Sequence, residues 1–275
     1  MQKQYYILSL LSIQIFAQKN NMNSIYKHYF EPIKFYGVKS ENDYREIEPC
    51  INVLDAVARI TPASMYIIDY YKRNFLYVSP HCLFLNNSTI EEIKNMGYTY
   101  YYKLLPQEDR RFLEFINKEG FAFYYKIPEL ERIRYSISYD FFIFSGPNKK
   151  KLLVNHKLTP IMLNERNQIW LALCVVTIAP HKKRRGIIIR KEGSETQYTY
   201  NFTTRKWETV DILKLTNTDI EILRLSEQGL SNQEIADILF YDVNSIKFHK
   251  KQIFSQLKVR SIKEAIDCAY NNKLI

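Results

Sequence analysis

Three short phrases near the C-terminus constrain the fold more than any other part of the chain: Thr216-x-x-Asp219, Ser231-x-x-Glu234 and Ser261-x-x-Glu264. In each, a hydroxyl can accept from the backbone amide three residues on, while the acid reaches back to the amide of the hydroxyl residue. Asp242 is a further candidate N-cap. Gly229 sits where a left-handed glycine should end the first helix. The spacing predicts four helices over 217–228, 232–239, 243–257 and 262–272. Ile220, Leu223, Ile235, Leu239, Ile246, Ile253, Leu257, Ile262 and Ile266 supply their apolar faces. Only Phe240-Tyr241-Asp242 separates the second helix from the third, which is helix-turn-helix spacing.

The third helix is two-sided. Ile246, His249, Ile253 and Leu257 fall on one side, and Lys247, Phe248 and Lys251 on another. No acid occurs anywhere in 243–257. A helix that is apolar inward and cationic outward suits the DNA major groove. Lysines can donate to guanine O6 and N7, and Phe248 can meet a thymine methyl. Ser245 and Lys250 are placed to reach phosphates, which set register without reading sequence. At the start of the second helix Asn232 and Gln233 can do the same, helped by the helix dipole. His249 falls on the inward side, where a packed, hydrogen-bonded histidine is the expectation. With Asn244, the expected DNA-contacting set is Asn232, Asn244, Ser245, Lys247, Phe248, Lys250 and Lys251.

These residues carry a family resemblance. Leu215-Thr216-x-x-Asp219-x-Glu221-Ile222-Leu223, then Gly229-Leu230-Ser231-Asn232-Gln233-Glu234-Ile235-Ala236, then Ser245-Ile246-Lys247-x-His249, Ile253, Leu257 and Glu264-Ala265 closely resemble the LuxR/NarL-type helix-turn-helix. The resemblance spans 215–275 nearly without a gap. It implies a four-helix DNA-binding domain whose third helix enters the major groove and whose last helix often dimerises. By position it places Lys247, Phe248 and Lys251 towards the bases and 262–270 on the dimerising helix. Thr218, Asp242, Gln252 and Gln256 depart from the residues usual in the family. The Asp cap is chemically equivalent to the usual Ser, while Gln256 in place of Lys weakens an expected backbone contact.

The preceding residues have a different texture. Met65–Asp69 and 74–79 read as short strands joined by a polar turn. Residues 88–118 turn helical, with Ser88 or Thr89 as a cap. Three strand-like runs follow at 136–144, 151–158 and 168–178. This order resembles a PAS domain, a five-stranded antiparallel sheet cupped by helices. The alternative is another α+β domain of similar size. Ahead of it, Ile47, Ile51, Leu54 and Ala58 recur at helical spacing, and Pro49 places the start of that helix nearby. Between the two units, 186–190 and 197–202 flank a Glu-Gly-Ser-Glu turn and suggest a β-hairpin arm.

The fold class is therefore α+β multidomain: a PAS-like five-stranded antiparallel sheet with flanking helices, then an all-α four-helix helix-turn-helix domain. The expected divisions are 1–21, an apolar N-terminal segment; 22–56, a helical extension; 57–180, the PAS-like sensor; 181–210, a basic arm; and 211–275, the DNA-binding domain. The apolar stretch at the N-terminus resembles a signal-peptide core but lacks a small residue at the −3 position of a cut after Ala17, and Met22 is an alternative start.

Composition narrows the function classes. The net charge is +10. Eight basic residues fall in 181–206 against two acids, and six fall in 243–263 with none, which points to a polyanionic partner. Cys50, Cys82, Cys174 and Cys268 form no CxxC pair, so no metal site is expected and a reducing cytoplasmic location is. No GxSxG, P-loop, HExxH or GxGxxG occurs, so no enzyme is indicated. The N-terminal half lacks the βα alternation of a phosphoreceiver. Residues 82–155 hold no histidine for haem, and Cys82-Leu83-Phe84-Leu85 only echoes a flavin-photosensor motif, so no cofactor is assigned. The sensor could take a small apolar ligand, a protein partner or no ligand. The expected function is sequence-specific regulation of transcription by a homodimer on double-stranded DNA, with no membrane association. The alternative is a PAS-mediated dimerisation module with weak, sequence-blind DNA binding.

Overall fold

A computed structural model describes residues 37–146, 148–272 and 274–275, so the expectations for 1–21 and for the 22–36 part of the helical extension lie outside the described residues. Helices α1 (Glu41–Arg45) and α2 (Glu48–Ile60) come first, with Pro49 in the first turn of α2, where its missing N–H is harmless. Strands β1 (Ser64–Asp69) and β2 (Asn74–Val78) follow. Then come α3 (Cys82–Leu85), α4 (Ile90–Met96), α5 (Tyr100–Leu104) and the long α6 (Gln107–Tyr124). Thr89 caps α4 in a full capping box with Glu92. Strands β3 (Tyr135–Ser145), β4 (Lys150–Leu163) and β5 (Ile169–Ile178) complete the predicted five. Their order, β2-β1-β5-β4-β3, is antiparallel throughout, the PAS-like arrangement.

The sheet does not stop at five strands. Strands β6 (Ile188–Lys191), β7 (Thr196–Asn201) and β8 (Lys206–Asp211) extend it to eight, in the order β3-β6-β7-β8. The expected hairpin arm is thus a continuation of the PAS-like sheet, because β6 pairs with β3 through Ile137 opposite Ile189. The extension packs on α6 through aromatic pairs. Ring centroids of Phe123 and Tyr198 are 4.8 Å apart, and those of Phe115 and Tyr200 are 5.2 Å apart.

Both faces of the central strands are covered, so every residue of β1 is buried. Period-two alternation sends Tyr66 and Ile68 into the cup under α3–α6, and Met65 and Ile67 to the back. On the back, the Ile51, Leu54 and Ala58 stripe of α2 packs with Ile47, Met65, Trp170 and Leu171. Helix α2 crosses residue 57, so the predicted boundary there falls inside one element. Basic segment 181–187 is pinned at its start by Asp140. His181 Nε2 lies 2.7 Å from Asp140 Oδ2, and the Arg185 amide donates to the same oxygen at 2.8 Å. Burial raises the Asp140 pKa, but hydrogen bonds from His181 and Asn155 outweigh it and hold the carboxyl below its usual range.

Candidate nucleic-acid interface

The C-terminal unit consists of α7 (Asn217–Glu227), α8 (Asn232–Leu239), α9 (Val243–Leu257) and α10 (Ile262–Asn271). Its boundaries follow from local chemistry. Thr216 and Ser231 form complete capping boxes with Asp219 and Glu234. Gly229, at φ +87, lets its own amide reach the Ser226 carbonyl and the Leu230 amide reach that of Leu225, which closes α7. Asp242 caps α9 by accepting from the amides of Asn244 and Ser245. The third expected box is only half made. Ser261 accepts from the Glu264 amide, but the Glu264 carboxylate accepts from the Arg260 amide at 3.0 Å instead.

Ile222, Leu223, Ile235, Ala236, Ile246, Ile253, Leu257 and Cys268 form the core of this unit. Leu223 is buried as expected and Ile222 joins it, whereas Ile220 is only half-buried. His249 is on the inward side. Its Nδ1 lies 2.9 Å from Oδ1 of the buried Asp219, tying the middle of α9 to the first turn of α7. The same carboxylate therefore serves the Thr216 cap and the helix-to-helix tie.

On the opposite side, Asn244, Lys247, Phe248 and Lys251 are exposed. They stand at i, i+3, i+4 and i+7, one continuous stripe along α9. None of their polar side-chain atoms has a partner among the described residues, and Phe248 is 58% exposed. The other expected contacts are engaged within the fold. Lys250 Nζ donates to Asn232 Oδ1 at 2.8 Å, joining α9 to the start of α8, and burial lowers its pKa. The Ser245 hydroxyl donates to Asp242, and Gln233 donates to Asp237 at 2.9 Å. The hydrogen bonds from Ser245 hold the Asp242 pKa below its usual value.

The sequence places the turn but not the exposure of its two aromatic side chains. Phe240 is 96% exposed with φ 58, a left-handed conformation that disfavours a bulky side chain. Tyr241 beside it is also exposed, its ring 6.0 Å from that of His249. Only the shortness of the spacer hinted at a strained residue there.

The cup of the PAS-like sheet is packed with its own side chains. Tyr66 lies at its centre, stacked on Phe84 with centroids 4.1 Å apart. Its hydroxyl is 2.6 Å from that of Tyr101 and 2.7 Å from His156 Nε2. His156 stands opposite Tyr139 on β3 and Val176 on β5, fully enclosed, and burial pushes its pKa from 6.5 down to about 3. A small, partly open pocket of about 30 Å³ lies between α6 and the sheet, lined by residues that include Tyr70, Gly120, Tyr124 and Tyr139. That holds a water or so, not a drug-sized ligand. Among the described residues no group of three or more His, Cys, Asp or Glu is placed to hold a metal, and no helix is long and apolar enough to cross a membrane.

Comparison with known proteins agrees with this geometry for the C-terminal unit. The chain is 33% identical over 107 residues to the virulence-factor transcription regulator BvgA of Bordetella pertussis, an alignment covering 35% of this chain and 51% of that one. It is 43% identical over 61 residues to the Fimbriae Z protein of Escherichia coli, covering 22% and 29%. With the HTH-type transcriptional regulator AlkS of Alcanivorax borkumensis it shares 38% over 85 residues, covering 27% and 10%. The chain thus spans about half the length, or less, of these curated relatives. A solved Vibrio cholerae VqmA dimer covers 82% of this chain and 88% of its own at 13% identity, with a TM-score of 0.32. Residues 213–269 match the family described as bacterial regulatory proteins, luxR family, so the C-terminal unit of this chain is a luxR-family helix-turn-helix domain.

Proposed function

We propose that this chain regulates transcription by reading the DNA major groove with α9, under the control of the PAS-like unit that precedes it. The observation that carries this reading is the exposed stripe of Asn244, Lys247, Phe248 and Lys251 on a helix without an acid. Lys247 and Lys251 donate to guanine edges, Asn244 to a neighbouring base, and Phe248 packs on a thymine methyl. Lys250, Asn232 and Ser245 sit at the edge of the same face. They reach phosphates by exchanging their internal hydrogen bonds for ones to DNA.

The protein acts as a homodimer on two half-sites, about one helical turn apart for twofold symmetry. The PAS-like unit supplies the input. Its filled cup admits a small ligand only if side chains around Tyr124 move aside, whereas a protein partner on the exposed edge strand β8 requires no such movement. Selection of bound fragments from sheared genomic DNA at about 0.15 M salt, with Lys247→Ala in parallel, tests the proposal. An enriched inverted repeat that the variant no longer selects is the expected outcome. Retention of DNA only at low salt, without enrichment, by both proteins would favour the dimerisation-module reading.

A further inference from the structure

The sensor sheet and the reader domain enclose a cleft of about 720 Å³. One wall is the basic segment and β6, the other the C-terminal ends of α9 and α10. Besides Arg184, six cationic side chains line it: Lys182, Lys183, Arg185, Arg190, Lys258 and Arg260. None has a carboxylate within ion-pair distance among the described residues. Arg184 also lines the cleft but is spent on Asp109, at 2.6 Å. Glu264 is the lining carboxylate, and it accepts from the Arg260 backbone.

The two central arginines are held in place by neutral groups. Arg185 donates to the Leu257 carbonyl at 3.1 Å and to Cys268 Sγ at 3.0 Å. Arg190 donates to Gln197 Oε1 at 2.6 Å and to the Asn272 carbonyl at 3.2 Å. These carbonyls sit at the negative ends of two helices, which orients each guanidinium without neutralising it. Burial works against the Arg190 charge. Six like charges around one cleft repel one another, and a multiply charged anion between them removes that repulsion.

We propose that this cleft binds a nucleotide bearing two or more phosphates, with the phosphates among the lysines and arginines and the base against Ile188, Leu213 and Leu274. The volume falls in the range of small-ligand sites. The three apolar side chains give a ring a place to lie that a bare phosphate does not need. Four of the cations come from the sensor side and two from the reader, so the site exists only while the two units are apposed. A ligand there holds the reader against the sheet, and DNA affinity and ligand affinity are then linked.

The experiment is titration calorimetry on the full chain without DNA at about 0.15 M salt, using inorganic tripolyphosphate, adenosine triphosphate, guanosine triphosphate and the unphosphorylated nucleosides. Two cleft variants, Lys182→Gln/Lys183→Gln and Arg260→Gln, change exposed side chains without an ion-pair partner in the fold. Lys247→Gln/Lys251→Gln alters the DNA-facing stripe instead. A nucleoside triphosphate should bind saturably and more tightly than tripolyphosphate. It should weaken about tenfold or more in the cleft variants and keep its affinity in the stripe variant. No saturable binding overturns the proposal. So does a loss confined to the stripe variant, which puts the anion on the DNA-reading face, and so does an equal loss in all variants, which is plain charge attraction. Equal affinity for tripolyphosphate and both nucleotides overturns the base contact.

Discussion

His156 makes the PAS-like unit acid-labile in a way that a single substitution removes. Its ring is fully enclosed and stays neutral to about pH 3, whereas in the unfolded chain it takes a proton near pH 6.5. Below pH 6.5 the unfolded state therefore binds one proton more than the native state, so stability falls as pH falls. Each pH unit removes about 1.4 kcal/mol until the pH approaches 3. Between pH 7.5 and 4.5 the loss from this one group is about 2.7 kcal/mol, a large share of the stability of an ordinary domain. His156→Gln keeps a polar group near the Tyr66 hydroxyl and does not titrate. The assay is urea unfolding followed by tryptophan fluorescence. Both tryptophans, Trp170 on β5 and Trp207 on β8, lie in the eight-stranded sheet, so the signal reports that unit. The native protein should lose roughly 2–3 kcal/mol more than the variant over this interval. Parallel losses in the two proteins would refute the reasoning, whatever their absolute stabilities.

Three further outcomes are expected. Asp219→Ala removes both the reciprocal half of the Thr216 box and the tie to His249, and should destabilise the reader domain by about 1–3 kcal/mol in a denaturant series followed by circular dichroism. A loss below about 0.5 kcal/mol would show that the tie contributes little. Phe240→Asn relieves a left-handed backbone at an exposed aromatic and should raise stability by up to about 1 kcal/mol in thermal melts of the free protein; an unchanged or lower melting temperature would show that the backbone there is not strained. Lys250→Gln should lower the slope of log affinity against log salt by about 0.9 if its ammonium reaches a phosphate. An unchanged slope would confine Lys250 to its bond with Asn232.

What could be read from sequence was what depends on neighbours. The reader helices appear within a residue of their predicted ends, because Thr216, Gly229, Ser231 and Asp242 act over three or four positions. The inward His249 followed from its spacing with Ile246 and Ile253. Long-range pairing was not legible. Strand β8 escaped notice because Arg205, not a glycine, takes the left-handed turn position before it. In sequence the basic segment looks like one polyanion footprint. Yet Arg184 and Lys191 pair with Asp109 and Glu131, whose chain positions lie 75 and 60 residues away. Arg185 and Arg190 reach 83 and 82 residues forward to α10. His156 was equally hidden, since a polar residue in a strand gives no sign of which face its neighbours bury.

The most direct measurement is the ratio of specific to non-specific affinity at about 0.15 M salt. The selected fragment and a scrambled copy would be bound by the native protein and by Lys247→Ala/Lys251→Ala. The native ratio should be about a thousandfold or more. The double variant should lose roughly 1–3 kcal/mol of that discrimination for each base contact removed, while keeping most of its affinity for the scrambled copy. A native ratio near one, or a ratio the double substitution leaves unchanged, would contradict the assignment of α9 as the helix that reads sequence.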